Sequence, residues 1–567
     1  MEGTKGVARE KTLLVGLDAA CWSYIEPLRR GGRLPVLDKL VQSGTRGILK
    51  STMPACTPVA WASLVTGKSP GKHGIFDMIW RRPESYEFIP TSSRLWSGTP
   101  FWDYLNERGI RTGLVNVPFL QPPDSLAGFM LAGFGTPSSA SEKTYPPGLI
   151  ELIEQRYGSY EPWLRFRELE GATAEEKIAA DRRHQARQVE IASELSDQFQ
   201  VDVLVINLML LDHANHLLSD MSKVNEAICQ TDSDLGKLIQ SFQPDNVMLI
   251  SDHGARRVKG DFLLHLWLRD RDYCVQAPRD RSDRPSALNW ILFRWLHGRW
   301  SMPGLLERLL RRLLVSLVPI LPQAGAESFW RAAERDIPFA RDHYLLDGEL
   351  DYEQSRIFVG SSRSGILYFN LVGREPTGIL STEDAAGLSA GIAEEISRIE
   401  DPETGKPLFS AVYNSAEIYP NGTSTNAPDL VLDFYDGEWN IAAAFRRGAD
   451  LTTIQNRYFA ESRDEFGDHG REGIFILAGK SFTGRAANHT GELVDIPATL
   501  LHLYDVPIPD DYDGRVLTQA ISYDHMAAHP IRSQRGDAPA AKAGVTGYTS
   551  NQEEEVARHL RALGYLE

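Results

Sequence analysis

Short apolar runs bounded by carboxylates and imidazoles restrict the fold of this chain more than any other feature. The run 13–17 leads into Asp18, and the run 201–211 leads into Asp212, with His216 four residues on. The run 247–251 leads into Asp252 and His253, and His469 stands just ahead of the run 473–479. Continuous apolar stretches of this length are the pattern of strands covered on both faces. Residues 173–199 and 223–242 carry helical periodicity between them, so strand and helix alternate as in a parallel α/β sheet. Further strands are expected at 113–117, 365–371 and 430–433. In an open parallel sheet the carboxyl ends of the strands converge on one edge, where such folds place their sites. Asp18, Asp212 and the Asp252-His253 pair all meet that condition.

The residue types suit divalent cations. Carboxylates and imidazoles are hard-to-borderline ligands fit for zinc or manganese, with no thiolate needed. Asp212 and His216 share a face if a helical turn follows the strand. Thr57, opening the segment Thr57-Pro58-Val59-Ala60-Trp61, is the candidate nucleophile. A hydroxyl needs a base or a metal to attack at neutral pH. One metal on Asp18, Asp252 and His253 could activate it, and a second on Asp212, His216 and His469 could stabilise the leaving oxygen. The plainer reading of Thr57 is a cap for a helix starting at Pro58, and the two roles are compatible.

At 567 residues, 42% apolar and 24% charged, the chain can bury a large core and carry an insertion. A net charge of −16 argues against a nucleic-acid polymer as partner. Cys21, Cys56, Cys229 and Cys274 are too scattered for a disulfide framework or a zinc ribbon, which fits a reducing compartment. The polar stretch 1–11 lacks a signal-peptide apolar region, so a cytoplasmic location is the expectation. The most apolar stretch, 313–321, falls far short of the ~20 residues a membrane span needs.

Five segments are expected. Residues 11–268 form the N-terminal part of a catalytic α/β domain and 269–345 a helical, Arg/Trp-rich insertion or cap. Residues 346–522 complete the catalytic domain, 523–549 read as a linker, and 550–567 as a docking helix. Within the insertion, 290–321 carries Arg and a Leu stripe. It reads either as a surface in contact with a membrane or as a cap whose Leu face packs on the core, and the cap is favoured. Nothing in the sequence specifies an oligomeric state.

The run Thr57-Pro58-Val59-Ala60-Trp61-Ala62-Ser63-Leu64-Val65-Thr66-Gly67, followed by Pro70-Gly71-Lys72-His73-Gly74-Ile75, resembles the nucleophile segment of the alkaline phosphatase superfamily. It is most similar to the type I phosphodiesterase / nucleotide pyrophosphatase branch. Ser251-Asp252-His253-Gly254 and Gly467-Asp468-His469-Gly470 resemble that branch's later metal motifs. Val494-Asp495-Ile496-Pro497 and Asp513-Gly514-Arg515 resemble the superfamily's C-terminal core. The resemblance implies an alkaline-phosphatase-like mixed, mostly parallel sheet sandwiched by helices. It implies one metal on Asp212, His216 and His469, and another on Asp18, Thr57, Asp252 and His253.

The chain departs from that pattern in places. Cys56-Thr57-Pro58 looks like the sulfatase signature, yet Ala60 stands where sulfatases want Arg. Met78 follows Asp77 where nucleotide pyrophosphatases carry a phosphoryl-binding Asn, which makes the pocket more apolar. His489 rivals His469 as last ligand, but it is expected before a helix, not a strand. His213 is a candidate to support the ligands from behind. Arg374, in Gly373-Arg374-Glu375-Pro376, reads equally as a phosphate contact and as a structural ion-pair residue. The expectation is a two-metal hydrolase of phosphodiester or pyrophosphate bonds acting through phosphothreonine at Thr57, with a phosphorylated small molecule or ester as substrate. The alternatives are a phosphomonoesterase or phosphotransferase on the same site and, with less support, a sulfatase or a non-catalytic scaffold.

Overall fold

The computed structural model describes residues 9–164, 171–277, 350–361, 363–422, 424–442, 458–484, 488–536 and 547–563. A nine-stranded sheet runs through its centre. Its strands are β1 Thr12–Leu17, β2 Thr45–Lys50, β3 Thr112–Val117, β4 Phe129–Ala132, β5 Thr144–Tyr145, β6 Val203–Leu208, β7 Asn246–Ile250, β8 Glu472–Gly479 and β9 Asn488–Glu492. The spatial order is β9-β2-β8-β7-β1-β6-β3-β4-β5. β7, β1, β6, β3 and β4 are mutually parallel, as are β9 and β2. β8 runs antiparallel between β7 and β2, and β5 is an antiparallel edge.

The apolar runs make this sheet because alternate residues enter two separate cores. Leu13, Val15 and Leu17 of β1 pack on one face, with Leu204 and Ile206 of β6. Leu14 packs on the other, with Val203 and Val205. Helices α2 (Ala174–Gln198) and α4 (Met221–Phe242) cover the first face through Ile178, Leu195, Ile228 and Leu235. Thr173 caps α2 in a reciprocal box with Glu176, which satisfies orphan N–H groups at that helix start. Helix α1 (Thr57–Thr66) and the helix Asp495–Leu503 cover the second face. Gly16 lets α1 sit close to the sheet, since a Cβ there would lie 2.8 Å from the Trp61 ring.

A second, four-stranded antiparallel sheet holds Ile357–Val359, Ile366–Phe369, Leu430–Asp433 and Ala411–Asn414. A ribbon of Gly254–Leu263 paired with Phe459–Gly470 leads from one half of the chain to the other. Among the described residues no helix is long and apolar enough to cross a membrane.

Two local expectations change. The linker expected at 523–549 carries a helix, Tyr523–Ala528, and a strand, Ser533–Gln534, paired with Ile508–Pro509. The hydroxyl of Ser522 accepts from the His525 amide and so caps that helix, which composition alone does not reveal. His489 stands before a helix, Asp495–Leu503, as expected, and itself lies in a strand, β9, paired with the edge of β2. Thr57 is the first residue of α1 and not its cap; Cys56 takes the cap position in an extended conformation. The insertion expected at 269–345, and with it the 290–321 membrane-surface reading, lies outside the described residues from 278 onward. The helix expected near the C-terminus is Ser550–Leu563, and Glu553 pairs with Arg82 at 3.0 Å.

Candidate metal centre and nucleophile

The turn after β1 is held in a special backbone conformation. Ala19 adopts φ 60°, a region that side chains other than glycine rarely enter. The Ala20 amide donates to Ser251 Oγ at 2.8 Å, and Ser251 Oγ donates to the His253 carbonyl at 2.5 Å. The ends of β1 and β7 are thus tied together. Asn207, a polar residue inside the run 201–211, donates to Asp18 Oδ2 at 2.9 Å.

Asp212 and His216 lie one turn apart on helix α3 (Leu210–Leu217), with Oδ1 and Nε2 3.2 Å apart. His469 arrives from the far half of the chain because Ala255 pairs with it in the antiparallel ribbon. Its Nε2 is 3.8 Å from Asp212 Oδ1, and its ring stacks on that of His253 at 3.8 Å. Nδ1 of His469 donates to the Ala55 carbonyl at 3.0 Å, and Nδ1 of His253 to the Gly254 carbonyl at 3.1 Å. Each bond fixes the tautomer and turns the Nε2 lone pair towards the site, as in metal-ligating histidines. Thr57 is fully buried at the start of α1, and its Oγ1 is 3.2 Å from His253 Nε2. His253 Nε2 is also 3.5 Å from Asp18 and 3.5 Å from Asp252. All seven residues singled out in the sequence therefore meet in one place.

Among the described residues, three sets of donor atoms lie within 4.8 Å of one another: Asp18, Asp252 and His253; Asp212, His253 and His469; His216, Asp468 and His469. Asp468 was not singled out from the sequence, although it adjoins His469. Asn440 Nδ2 donates to Asp468, and Arg363 Nη1 stands 3.3 Å from its Oδ2.

The electrostatics call for cations. Asp18 Oδ1 and both Asp252 oxygens are buried with no hydrogen-bond partner. Burial, then the charge of Asp212, pushes Asp252 up to about 8. Burial, then Asp252 and Asp212, holds Asp18 well above the usual carboxylate range. Burial acts to raise Asp212 as well, but His216, His469 and His253 outweigh it and hold that carboxyl well below its ordinary value. Burial, then His253, pushes His469 down to about 3, so its imidazole stays neutral. Crowded, buried carboxylates, with Asp18 Oδ1 and both Asp252 oxygens lacking donors, beside imidazoles fit a pair of divalent cations of the oxygen- and nitrogen-seeking kind.

The remaining candidates fall elsewhere. His213 Nδ1 bonds Asp181 at 2.8 Å, from helix α3, which carries Asp212 and His216. Arg374 makes a two-pronged contact with Asp429 at 2.9 and 2.6 Å and bonds Glu375, which is structural. Met78 is buried, and Asp77 before it binds the loop 361–364.

The model of the type I phosphodiesterase / nucleotide pyrophosphatase family matches residues 12–313, more than half of the chain. The chain belongs to this family. Type I phosphodiesterases and nucleotide pyrophosphatases are divalent-metal-dependent hydrolases of phosphodiester and pyrophosphate bonds, and the Asp/His groups above are candidates to hold such ions. Among solved structures, murine ectonucleotide pyrophosphatase / phosphodiesterase 5, an inactive form in complex with AMP, aligns at 13% identity and a TM-score of 0.48. The alignment covers 90% of this chain and 100% of that one. A likeness of that degree bears on neither the fold nor the function of this chain. No curated protein matches significantly.

Proposed function

We propose that the chain cleaves phosphodiester or pyrophosphate bonds of a small phosphorylated molecule through Thr57. The observation that carries the reading is the Thr57 hydroxyl, buried and 3.2 Å from His253 Nε2. Asp18, Asp252 and His253 lie on its side of the site, with Asp212, His216 and His469 beyond them. Thr57 Oγ1 loses its proton to solvent and forms a bond to phosphorus while the bond to the leaving oxygen breaks. The second substituent stays on the threonine-bound phosphoryl group, and water then cleaves the threonine–phosphorus link to release a phosphomonoester. Bound at the two groups, divalent cations supply Lewis acidity and offset the charge of the phosphoryl oxygens. His253 holds the hydroxyl in place, and the N-terminus of α1 faces the incoming anion. Zinc is the cation we propose, with manganese the alternative, since both suit carboxylate and imidazole. The enzyme acts in the cytoplasm on a phosphorylated small molecule or ester.

The test compares turnover of a p-nitrophenyl phosphodiester and the matching monoester, with added zinc, by the native chain and by Thr57→Ala. Turnover of the diester that disappears in Thr57→Ala supports the proposal. Equal turnover by both proteins refutes the role of Thr57, and turnover of the monoester alone replaces the diester reading with a phosphatase.

A further inference from the structure

A cation from the second sheet stands beside the candidate ligands, paired with one of them at its edge. Arg363 comes from the second sheet, in the loop between Ile357–Val359 and Ile366–Phe369. Its side chain is only 13% exposed, and its Nη1 lies 3.3 Å from Asp468 Oδ2. Despite that distance, Nη1 is buried without a hydrogen-bond partner. Asp468 already has donors of its own: Asn440 Nδ2, and the His469 amide at 2.7 Å. The ion pair therefore leaves the guanidinium with donor capacity to spare at the edge of the His216, Asp468 and His469 group.

The loop is delivered there by an unusual number of bonds. Asp77 accepts from the Ser361 amide at 2.8 Å, from Ser361 Oγ at 2.7 Å and from Ser364 Oγ at 2.7 Å. Gly360 allows the approach, since a Cβ there would lie 2.5 Å from Ile366 and 3.2 Å from Asp77 Oδ2. Asp77 is fixed in turn by the Met78 amide at 2.7 Å, and its segment follows α1 and the short helix Pro70–His73. The segment downstream of the nucleophile thus grips the loop that carries Arg363. Met78, the next residue of that segment, is buried in the core, and its thioether cannot donate a hydrogen bond.

We infer that Arg363 is a substrate-binding residue that engages an anionic phosphoryl oxygen on the His216, Asp468 and His469 side of the site. A guanidinium is permanently charged, and its planar fork matches two oxygens of one phosphate. A buried donor without a partner is costly, and an incoming phosphate removes that cost. This inference rests on the reading of the site as a phosphate-ester hydrolase. It adds that the site favours phosphoryl groups of higher charge, because attraction to a fixed cation scales with the charge of its partner.

The experiment measures binding of inorganic phosphate to the zinc-loaded full chain by calorimetry, for the native protein, Arg363→Ala and Arg363→Lys. Zinc content and melting temperature are recorded on the same samples. A charge-assisted hydrogen bond lost in a buried site weakens binding roughly ten- to hundredfold. The expected result is a loss of that size in Arg363→Ala, partial recovery in Arg363→Lys and unchanged zinc content. In turnover, KM for the p-nitrophenyl monoester is expected to rise more than KM for the diester, and added guanidinium to restore part of the loss. Phosphate affinity within about twofold of native in Arg363→Ala overturns the inference and leaves Arg363 as the counter-ion of Asp468. Because phosphate binding is read without turnover, that failure is distinct from an active Thr57→Ala, which would refute the nucleophile instead.

Discussion

Replacing Glu375 by Gln should destabilise the protein strongly, because the carboxylate serves two cations inside it. Arg81 Nη1 approaches Glu375 Oε1 at 3.0 Å, with side chains 2% and 0% exposed. Arg374 Nε donates to the same oxygen at 2.7 Å, and the Leu371 amide donates to the other at 2.8 Å. Arg374 keeps Asp429 after the change, but Arg81 is left with a neutral amide oxygen shared with Arg374 and the face of Tyr368, 4.9 Å from its guanidinium, and no negative charge. Breaking a buried pair from one side costs about 3–5 kcal/mol, chiefly as an uncompensated buried charge. The unfolding entropy of a chain of 567 residues is near 1.2 kcal/mol/K, from about 2.1 cal/mol/K per residue. The melting temperature should therefore fall by about 2.5–4 °C in differential scanning calorimetry. Removing both charges in Arg81→Met with Glu375→Leu should cost clearly less than the sum of the two single changes. A fall of under about 1 °C for Glu375→Gln, or additive losses in the double variant, would refute the reasoning.

Thr57→Ser should retain measurable diester turnover, because the hydroxyl remains at the start of α1, whereas Thr57→Ala should retain none; comparable activity of the two variants would remove Thr57 from the chemistry. Burial pushes the Asp261 carboxyl from 3.8 up to about 6, against the attraction of Arg363. The folded state therefore holds a proton that the unfolded state has released between those pH values, and stability falls as pH rises through that window. In metal-free protein Asp261→Asn should be more stable than native at pH 8 by about 3 kcal/mol at most, with the difference gone below pH 4. A melting-temperature difference independent of pH would contradict this. Chelation should lower the melting temperature, and zinc should restore it in the native chain but less so in Asp252→Asn, because bound ions offset the crowded carboxylates; indifference to chelator would argue that the site holds no ion.

The central strands and the one-dimensional order of the site were legible because their signals are local. β1, β3, β6 and β7 are largely apolar runs, and burial on both faces of a strand demands that composition wherever the strand ends up. Asp18 and Asp252 follow such runs directly, and Asp212 and His216 sit one helical turn apart, so spacing alone placed them on one edge. Thr57 was visible in the same way, at the head of a helix start marked by Pro58.

What no local signal carried was decided by pairing between distant segments. β8 slots antiparallel between β7 and β2, and nothing in its own residues specifies that position or direction. His469 reaches His253 only because the ribbon pairs Ala255 with it, and Asp468 comes along in the same register. Arg363 depends on a carboxylate, Asp77, that lies far away in sequence and takes three bonds from the arginine's loop. The capacity for metal and phosphate chemistry was thus written in the residue types at the strand ends. Which additional charges face that chemistry was settled by tertiary contacts, because a side chain's partners depend on which backbones pack against it and not on its neighbours in sequence.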